Sequence, residues 1–456
     1  VAGIGFELQR TIQEDSYLSS VRGYLYAAVL SAGPWLLSVV ALGVLGIVSA
    51  AFLSDVEVTL FAATVTHTFA VTLITTGIVQ MVVTRYLADQ LYLGNVKVVA
   101  PTFVAVLVLT SGLQFVVTSL LLAGTELPLG YRLPVASLYV AISGIWVSMV
   151  FLSAARDYVP IVLSFGVGYA ISFAAAAGLG SRYGLAAYLA GFTAGQVVVL
   201  ALLASRVLAE FELERPFSLE FLGHFRRYPA LVAIGFVYNL ALWIDKLVFW
   251  LGPTGVDVGS FLDVFPVYDT SFFVASLAMV PALAMFTVSI ETSFYEHYRR
   301  FYEAIQLRRG YGELVAAKSG MTGSLKRSYL SLLKLQAGIA LLAVTLLTPA
   351  IMRTFDVPQG YWGIFRVLAV GTSMQVFVLF TVLLLLYLDM RGSALISVCT
   401  FLVTNLAFTA LTVPLGYGFY GWGFLASSFV SATVSITLLA DRFRRLEYLT
   451  FVRQPM

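Results

Sequence analysis

Apolar runs of about 20 residues, the length that crosses roughly 30 Å of hydrocarbon at about 1.5 Å per residue, recur about twelve times along this chain. A membrane barrel would instead show segments of about ten residues with a polar inner face. These runs are longer and apolar on most faces, so they predict helices, whose backbone groups are satisfied within the segment. They lie near Tyr24–Val48, Val58–Val83, Val98–Leu122, Leu133–Leu152, Tyr158–Leu179, Ala186–Val207, Pro229–Leu251, Thr270–Phe294, Tyr329–Thr348, Ile364–Leu388, Ala394–Val413 and Gly421–Leu439. The expected fold class is an all-α integral membrane protein with about twelve transmembrane helices. At 60% hydrophobic and 11% charged residues, with a mean hydropathy of +0.91, a chain of 456 residues could not stay in solution as globular domains.

The charges say which way the helices face. Placing both termini in the cytoplasm puts most of the 27 Lys and Arg on inner segments and leaves Arg132, Arg182, Arg353 and Arg366 at outer positions. The N-terminal stretch carries charges where a secretory signal needs an unbroken apolar core, so a cleaved leader is not expected. The outer connections are short, the longest running from about Gly252 to Asp269, whereas Leu208–Tyr228 and Tyr295–Ser328 are long inner segments. A membrane enzyme acting on the outer face would need an outer domain or a long catalytic loop. Nucleophile elbow, phosphate-cradling loop and metal-ligand cluster are all missing from the sequence, and the single cysteine, Cys399, excludes a disulfide framework. A net charge of +3 gives no reason to expect nucleic acid, and no cofactor is expected.

Six runs precede Leu208–Tyr228 and six follow it, as in transporters built from internal repeats. The second run continues into "VVTRYLADQLY" and the eighth into "SFYEHYRRFYEAI", each basic, Tyr-bearing and helix-compatible. The organisation expected is an amphipathic segment over 1–23, a first six-helix bundle over 24–208 and a linker over 209–228. A second bundle then covers 229–440, with an amphipathic insert at 295–328 and a tail over 441–456. Two such bundles would flank a central cleft. Gly33 and Pro34 in the first run and Pro281 in the eighth are candidate hinges, since proline removes a helix hydrogen bond; close packing is the competing reading.

Charged residues inside apolar runs are the candidate site, because each costs roughly 2.5–3.5 kcal/mol at the bilayer centre unless it finds a partner or water. Asp245 and Lys246 stand back to back in "YNLALWIDKLVFW", and Tyr238 and Asn239, seven residues earlier on the same helical rows, complete a polar wedge. The wedge could face a water-filled substrate path, anchor the outer interface beside Trp243 and Trp250, or hold a buried ion pair. His67, among Thr64, Thr66 and Thr68, could couple a proton or be a neutral imidazole bonded to those hydroxyls. Glu291 and Arg366 could line the path or reach interface water. The segment from His297 to Tyr329 mixes bases with aromatics; Arg299, Arg300, Arg308, Arg309 and Lys318 would either lie on an anionic leaflet or dock a cytoplasmic partner.

The opening "AGIGFEL" and "SVRGYLYAAVLSAGPWLLS" resemble the start of PelG-type exopolysaccharide transporters, of the multidrug/oligosaccharidyl-lipid/polysaccharide flippase superfamily. "IDKL" followed by "FPVYDTSFFVASLAMVP" is similar to that superfamily's flippases. The resemblance implies export of Pel, a partly deacetylated amino-sugar polymer of biofilm matrix, across the bacterial inner membrane by alternating access. It also implies partners: a cytoplasmic glycosyltransferase using a UDP-sugar, a cyclic-di-GMP-binding membrane receptor and a helical-repeat membrane protein. A lipid-diphosphate cargo would call for cationic side chains within the spans, and few are present, which suits a nascent glycan better. A cation-coupled exporter or a lipid-linked oligosaccharide flippase of the same superfamily, and a membrane-embedded glycan transferase, are the alternatives.

Overall fold

The computed structural model of the chain describes residues 33–34, 36–155, 159–258 and 262–453. The segment over 1–23, the beginning of the first run with the signature it carries, Arg156 and residues 454–456 lie outside the described residues. Among the described residues eleven helices are long and apolar enough to cross a membrane, and the single β-feature is an isolated bridge between Val256 and Val264. The chain is a multi-pass membrane protein. It divides into two compact units, Pro34–Asp269 and one made mainly of Thr270–Met456.

The first unit holds α1 (Leu36–Ser49), α2 (Asp55–Tyr92), α3 (Val99–Leu122), α4 (Leu129–Ala155), α5 (Val159–Tyr183), α6 (Leu185–Glu210), the short α7 (Leu222–Arg227) and α8 (Pro229–Trp250). Helix α2 begins on a capping box: the Ser54 amide donates to Glu57 Oε2 at 2.9 Å and the Glu57 amide to Ser54 Oγ at 3.4 Å. Its 38 residues are about 57 Å long, more than hydrocarbon needs, so "VVTRYLADQLY" continues the helix beyond the apolar span. Along its buried face Thr68, Thr72 and Thr76 each return their hydroxyl to the carbonyl four residues back, at 2.6–2.7 Å. Buried tyrosines find oxygen partners in the same way: Tyr131 with Thr64 Oγ1 at 2.7 Å and Tyr188 donating to Leu45 O at 2.6 Å. The linker is packed rather than loose, with the Ser218 amide on Pro101 O at 3.1 Å, Lys97 on Glu214 at 2.5 Å and Phe221 buried.

Helix α8, counted from the sequence as the start of the second bundle, packs against α2 inside this first unit. The crossing depends on two glycines. A Cβ on Gly77 would stand 2.6 Å from the Gly235 carbonyl oxygen, and one on Gly235 would collide with the Gly77 carbonyl. Neither obstacle is a side chain that could swing away, so only hydrogen atoms fit there.

The second unit contains α9 (Pro266–Ser276, shared at its start with the first unit), α10 (Val280–Ser289), α11 (Tyr295–Gln306), α12 (Tyr311–Leu342), α13 (Thr348–Thr354), α14 (Trp362–Tyr387), α15 (Arg391–Thr412), α16 (Trp422–Arg444) and α17 (Leu446–Arg453). The eighth apolar run is not one regular helix. A 3₁₀ turn at Leu277–Met279 separates α9 from α10, and a π-helical stretch at Ile290–Phe294 joins α10 to α11. The first break has a cause in Pro281, which has no amide hydrogen to give the Leu277 carbonyl.

The insert expected at 295–328 resolves into α11, a turn in which Arg308 adopts φ +52°, and the front half of α12, which runs on into the ninth span. The line from the end of α10 through the π-helical stretch into α11 runs antiparallel to α12 as a hairpin, and small polar side chains close the seam. Ser289 bonds Ser328, Ser293 bonds Ser324 at 2.9 Å, and the His297 ring lies where a Cβ on Gly320 would go. One partner advances by four residues as the other retreats by four, which is the register of a close helix–helix seam. Gly77→Ala and Gly235→Ala should each lower stability by roughly 1–3 kcal/mol, read as a drop in thermal unfolding temperature in detergent. Gly43→Ala, whose Cβ would meet nothing within 4 Å, should leave it unchanged. Equal behaviour of the three variants would remove the glycine crossing as a determinant of the fold.

Candidate functional site

Asp245 and Lys246 are neighbours in sequence, and adjacent helical residues point about 100° apart, so their charges meet only if one side chain bends back. Lys246 does. Its ammonium lies 3.2 and 3.3 Å from the two Asp245 oxygens and donates to the Leu242 carbonyl at 3.1 Å. The Tyr268 hydroxyl, from the first turn of α9, donates to Asp245 Oδ2 at 2.7 Å. Asp245 is 0% exposed and Lys246 4%. Of the three placements open at the sequence level, the geometry is that of a buried ion pair, closed off from water and not a wet wall.

A second carboxylate stands beside the pair. Asp269, half-buried, accepts the Trp250 indole N–H at 2.9 and 3.1 Å and the Phe265 amide at 3.1 Å. Trp250 in turn stacks on His67 with centroids 4.3 Å apart and planes at 27°, and Trp243 lies 6.1 Å from Trp250. The Lys246 ammonium sits 5.5 Å above the Trp243 ring, a cation–π contact. These contacts join α2, α8 and the start of α9 within the first unit. Tyr268 and Asp269 are essential to the arrangement and sequence reasoning passed over them. The available signal was a Tyr-Asp pair at the entry to an apolar run, in "FPVYDTSFF".

The His67 Nδ1 lies 2.9 Å from the Ala63 carbonyl, and its ring faces the Trp250 indole. Of the three flanking threonines, Thr64 bonds Tyr131 and Thr68 donates to the Thr64 carbonyl. Asn239 separates from the wedge, since its amide donates to Gly235 O at 3.0 Å next to the glycine crossing, while Tyr238 is half-buried one residue before it. Pro34 and Gly33 are buried, and the Pro34 carbonyl accepts the Ser38 hydroxyl at 2.8 Å. Pro281, Glu291 and Arg366 belong to the second unit. Arg366 is exposed near the start of α14, and Glu291 lies in the π-helical stretch, its side chain outside the described residues.

The basic residues of the hairpin fall into two kinds. Arg299 with Glu303 at 2.6 Å and Arg300 with Glu296 are exposed pairs along α11, and Arg309, in the turn, meets Glu313 at 3.1 Å; exposed pairs of this kind are screened by water and add little. Arg308 is exposed in the turn. Lys318 instead reaches α17, meeting Glu447 at 2.7 Å and the Arg444 carbonyl at 3.0 Å.

Residues 1–451 match the family described as "PelG: Putative exopolysaccharide Exporter (EPS-E)". The chain belongs to the PelG family. No curated protein matches it. Among solved structures, this PelG-family chain is similar to an inward-facing multidrug resistance MATE family transporter of the MOP superfamily, at 15% identity and a TM-score of 0.63, covering 98% of each chain. It is similar to the Vibrio cholerae MATE transporter VcmN in a mutant form, at 13% identity and a TM-score of 0.65, covering 93% of this chain and 98% of that one. A MOP superfamily transporter from Pyrococcus furiosus gives 14% and 0.61, covering 92% of this chain and 96% of that one. At such identities the likeness establishes the fold: a MATE-like transporter with two helix bundles. PelG is a family of exporters, not enzymes, and the inner membrane is where such an exporter works.

Opening the buried pair from one side should cost far more than removing it. Lys246→Met leaves Asp245 buried beside Tyr268, and Asp245→Leu leaves an unpaired ammonium; each should destabilise by about 3–5 kcal/mol, whereas the double variant should recover most of that loss. Thermal unfolding of the three variants in detergent measures the coupling. Additive losses would mean that the two charges do not interact.

Proposed function

We propose that this PelG-family chain exports a Pel-type, partly deacetylated amino-sugar exopolysaccharide, delivered by a cytoplasmic synthase, to the periplasm for biofilm matrix. The observation that carries this reading is the family match over residues 1–451, and a MATE-like fold supports alternating access as the mode of transport. A lipid-diphosphate cargo is the weaker reading, because Lys246 is already committed to Asp245 and offers no unshared charge to a diphosphate. In this proposal both termini are cytoplasmic, which follows from the Lys and Arg distribution. The α11–α12 hairpin then stands on the cytoplasmic side and supplies the surface on which a UDP-sugar glycosyltransferase docks. A cyclic-di-GMP-binding receptor and a helical-repeat membrane protein complete the assembly.

The decisive measurement uses inverted membrane vesicles holding the chain and its native cytoplasmic partners. Addition of UDP-sugar should place polymer inside the vesicles, protected from added glycosidase until detergent opens them. Polymer that stays fully digestible despite active synthesis would sink the export reading. Orientation is separately accessible: on a Cys399→Ser background, Gly310→Cys should react with an impermeant maleimide only in inverted vesicles and Asp257→Cys only in right-side-out cells. The opposite pattern would overturn the assignment of the termini. For docking, Arg299→Glu combined with Arg309→Glu should release the synthase on co-purification, and unchanged recovery would remove this face from the interface.

A further inference from the structure

Where the second unit leaves its apolar spans it gathers tyrosines. Tyr298 and Tyr302 stand one turn apart on one face of α11, with ring centroids 4.6 Å apart. Tyr387, the last residue of α14, brings its ring to 4.7 Å from Tyr298 at an interplanar angle of 65°. Phe294, fully buried, supports both from below at 6.2 and 6.0 Å. Tyr298 and Tyr302 are half-buried and Tyr387 is 38% exposed, so ring surface is left on the outside of the cluster. Burial pushes the Tyr298 phenol up from its ordinary pKa.

Charge is placed at its edge. Asp389 caps α14 at φ +55°, with its amide donating to Leu386 O at 3.0 Å and the Met390 amide to Leu385 O at 2.7 Å. Glycine is the usual residue in that left-handed cap, so the chain holds a carboxylate where a side chain is conformationally costly. That carboxylate meets the Arg391 guanidinium at 2.9 Å, both groups being about one-third exposed at 35% and 29%. Burial, and to a lesser degree the Asp389 charge, raise the Tyr302 phenol above its ordinary pKa, which places the carboxylate within electrostatic reach of the ring cluster.

Flat aromatic rings next to a carboxylate–guanidinium pair match the two sides of a sugar. The C–H face of a pyranose lies against a ring, while its hydroxyls, or the ammonium of a deacetylated amino sugar, meet the charged pair. We propose that Tyr298, Tyr302 and Tyr387, with Asp389 and Arg391, form a platform that holds pyranose rings of an amino-sugar polymer outside the apolar spans. The platform rests on the polysaccharide-export reading and adds to it a point of contact with the glycan. Tyrosines near a bilayer surface also anchor helices among headgroups, and the two roles differ in what substitution does.

The full chain in nanodiscs is titrated calorimetrically with an N-acetylhexosamine hexamer, alongside its melting temperature. Tyr302→Ala and Tyr387→Ala should each weaken binding by roughly fivefold to tenfold at an unchanged melting temperature, and Tyr302→Phe should stay within about twofold because the ring face persists. Absence of hexamer binding by the unaltered chain overturns the platform, as does unchanged affinity of the Ala variants accompanied by a lowered melting temperature. Polymer export in cells is scored separately. A chain that binds hexamer but exports no amino-sugar polymer refutes the export reading and leaves the platform standing; export without hexamer binding does the reverse.

Discussion

In hydrocarbon there is no water to take a backbone N–H or C=O, and each one left open costs several kcal/mol; every other feature of this fold answers to that. Helices satisfy the backbone along their own length, but serine and threonine bring hydroxyls of their own. The chain handles them locally. Thr68, Thr72, Thr76, Ser373, Thr381 and Ser397 all return their hydroxyls to a carbonyl four residues back. A buried face can therefore be rich in hydroxyls without needing water, and the helix retains small side chains that let a neighbour approach.

Close approach is then reached by two routes. At α2 and α8 it is glycine against glycine, with nothing but hydrogen between two carbonyls. Where the end of α10 and the π-helical stretch face α12 it is serine against serine, and that seam is itself hydrogen-bonded and continues into α11 beyond the apolar span. The second route suits a hairpin that leaves lipid, because dispersion between small residues alone gives little once water competes for the surface. Side chains that are charged and exposed are concentrated on that hairpin, where they are cheap to keep.

Eleven of the twelve expected spans stand among the described residues, and their positions were legible because hydropathy over about 20 residues measures the cost of crossing lipid. The seventh run was expected at Pro229–Leu251 and the helix is Pro229–Trp250. The ninth was expected from Tyr329, yet its helix begins at Tyr311, since a polar amphipathic front can be helical without being apolar. The candidate site was legible only in part. Asp245 and Lys246 announce themselves as charges in an apolar run, but what they touch is set by Tyr268, 23 residues beyond Asp245 on another element. At His67 the neighbours in sequence are hydroxyls, of which Thr68 turns onto the backbone and Thr64 onto Tyr131, while the ring faces Trp250, far from it in sequence.

The buried pair then requires an explanation that stability does not supply. An ion pair taken out of water is seldom better than well-packed hydrophobes of the same volume, so its retention in α8 has to rest on something that hydrophobes cannot do. One such property is directional: Leu would pack against Tyr268 in many rotations, whereas Asp245 takes the Tyr268 hydroxyl at one position and Lys246 fixes the carboxylate that receives it. Asp269 repeats the device one residue on, taking the Trp250 indole from the end of α8. Two neighbouring residues of α9 are thus bound to α8 by hydrogen bonds that have a single register. A slip of one helical position would break both bonds at once and strand the Tyr268 hydroxyl and the Trp250 indole, leaving Asp245 with Lys246 alone and Asp269 with the Phe265 amide alone. The charges in this span are therefore best understood as fixing where α9 begins, by directional bonds that apolar packing at the same place would not supply.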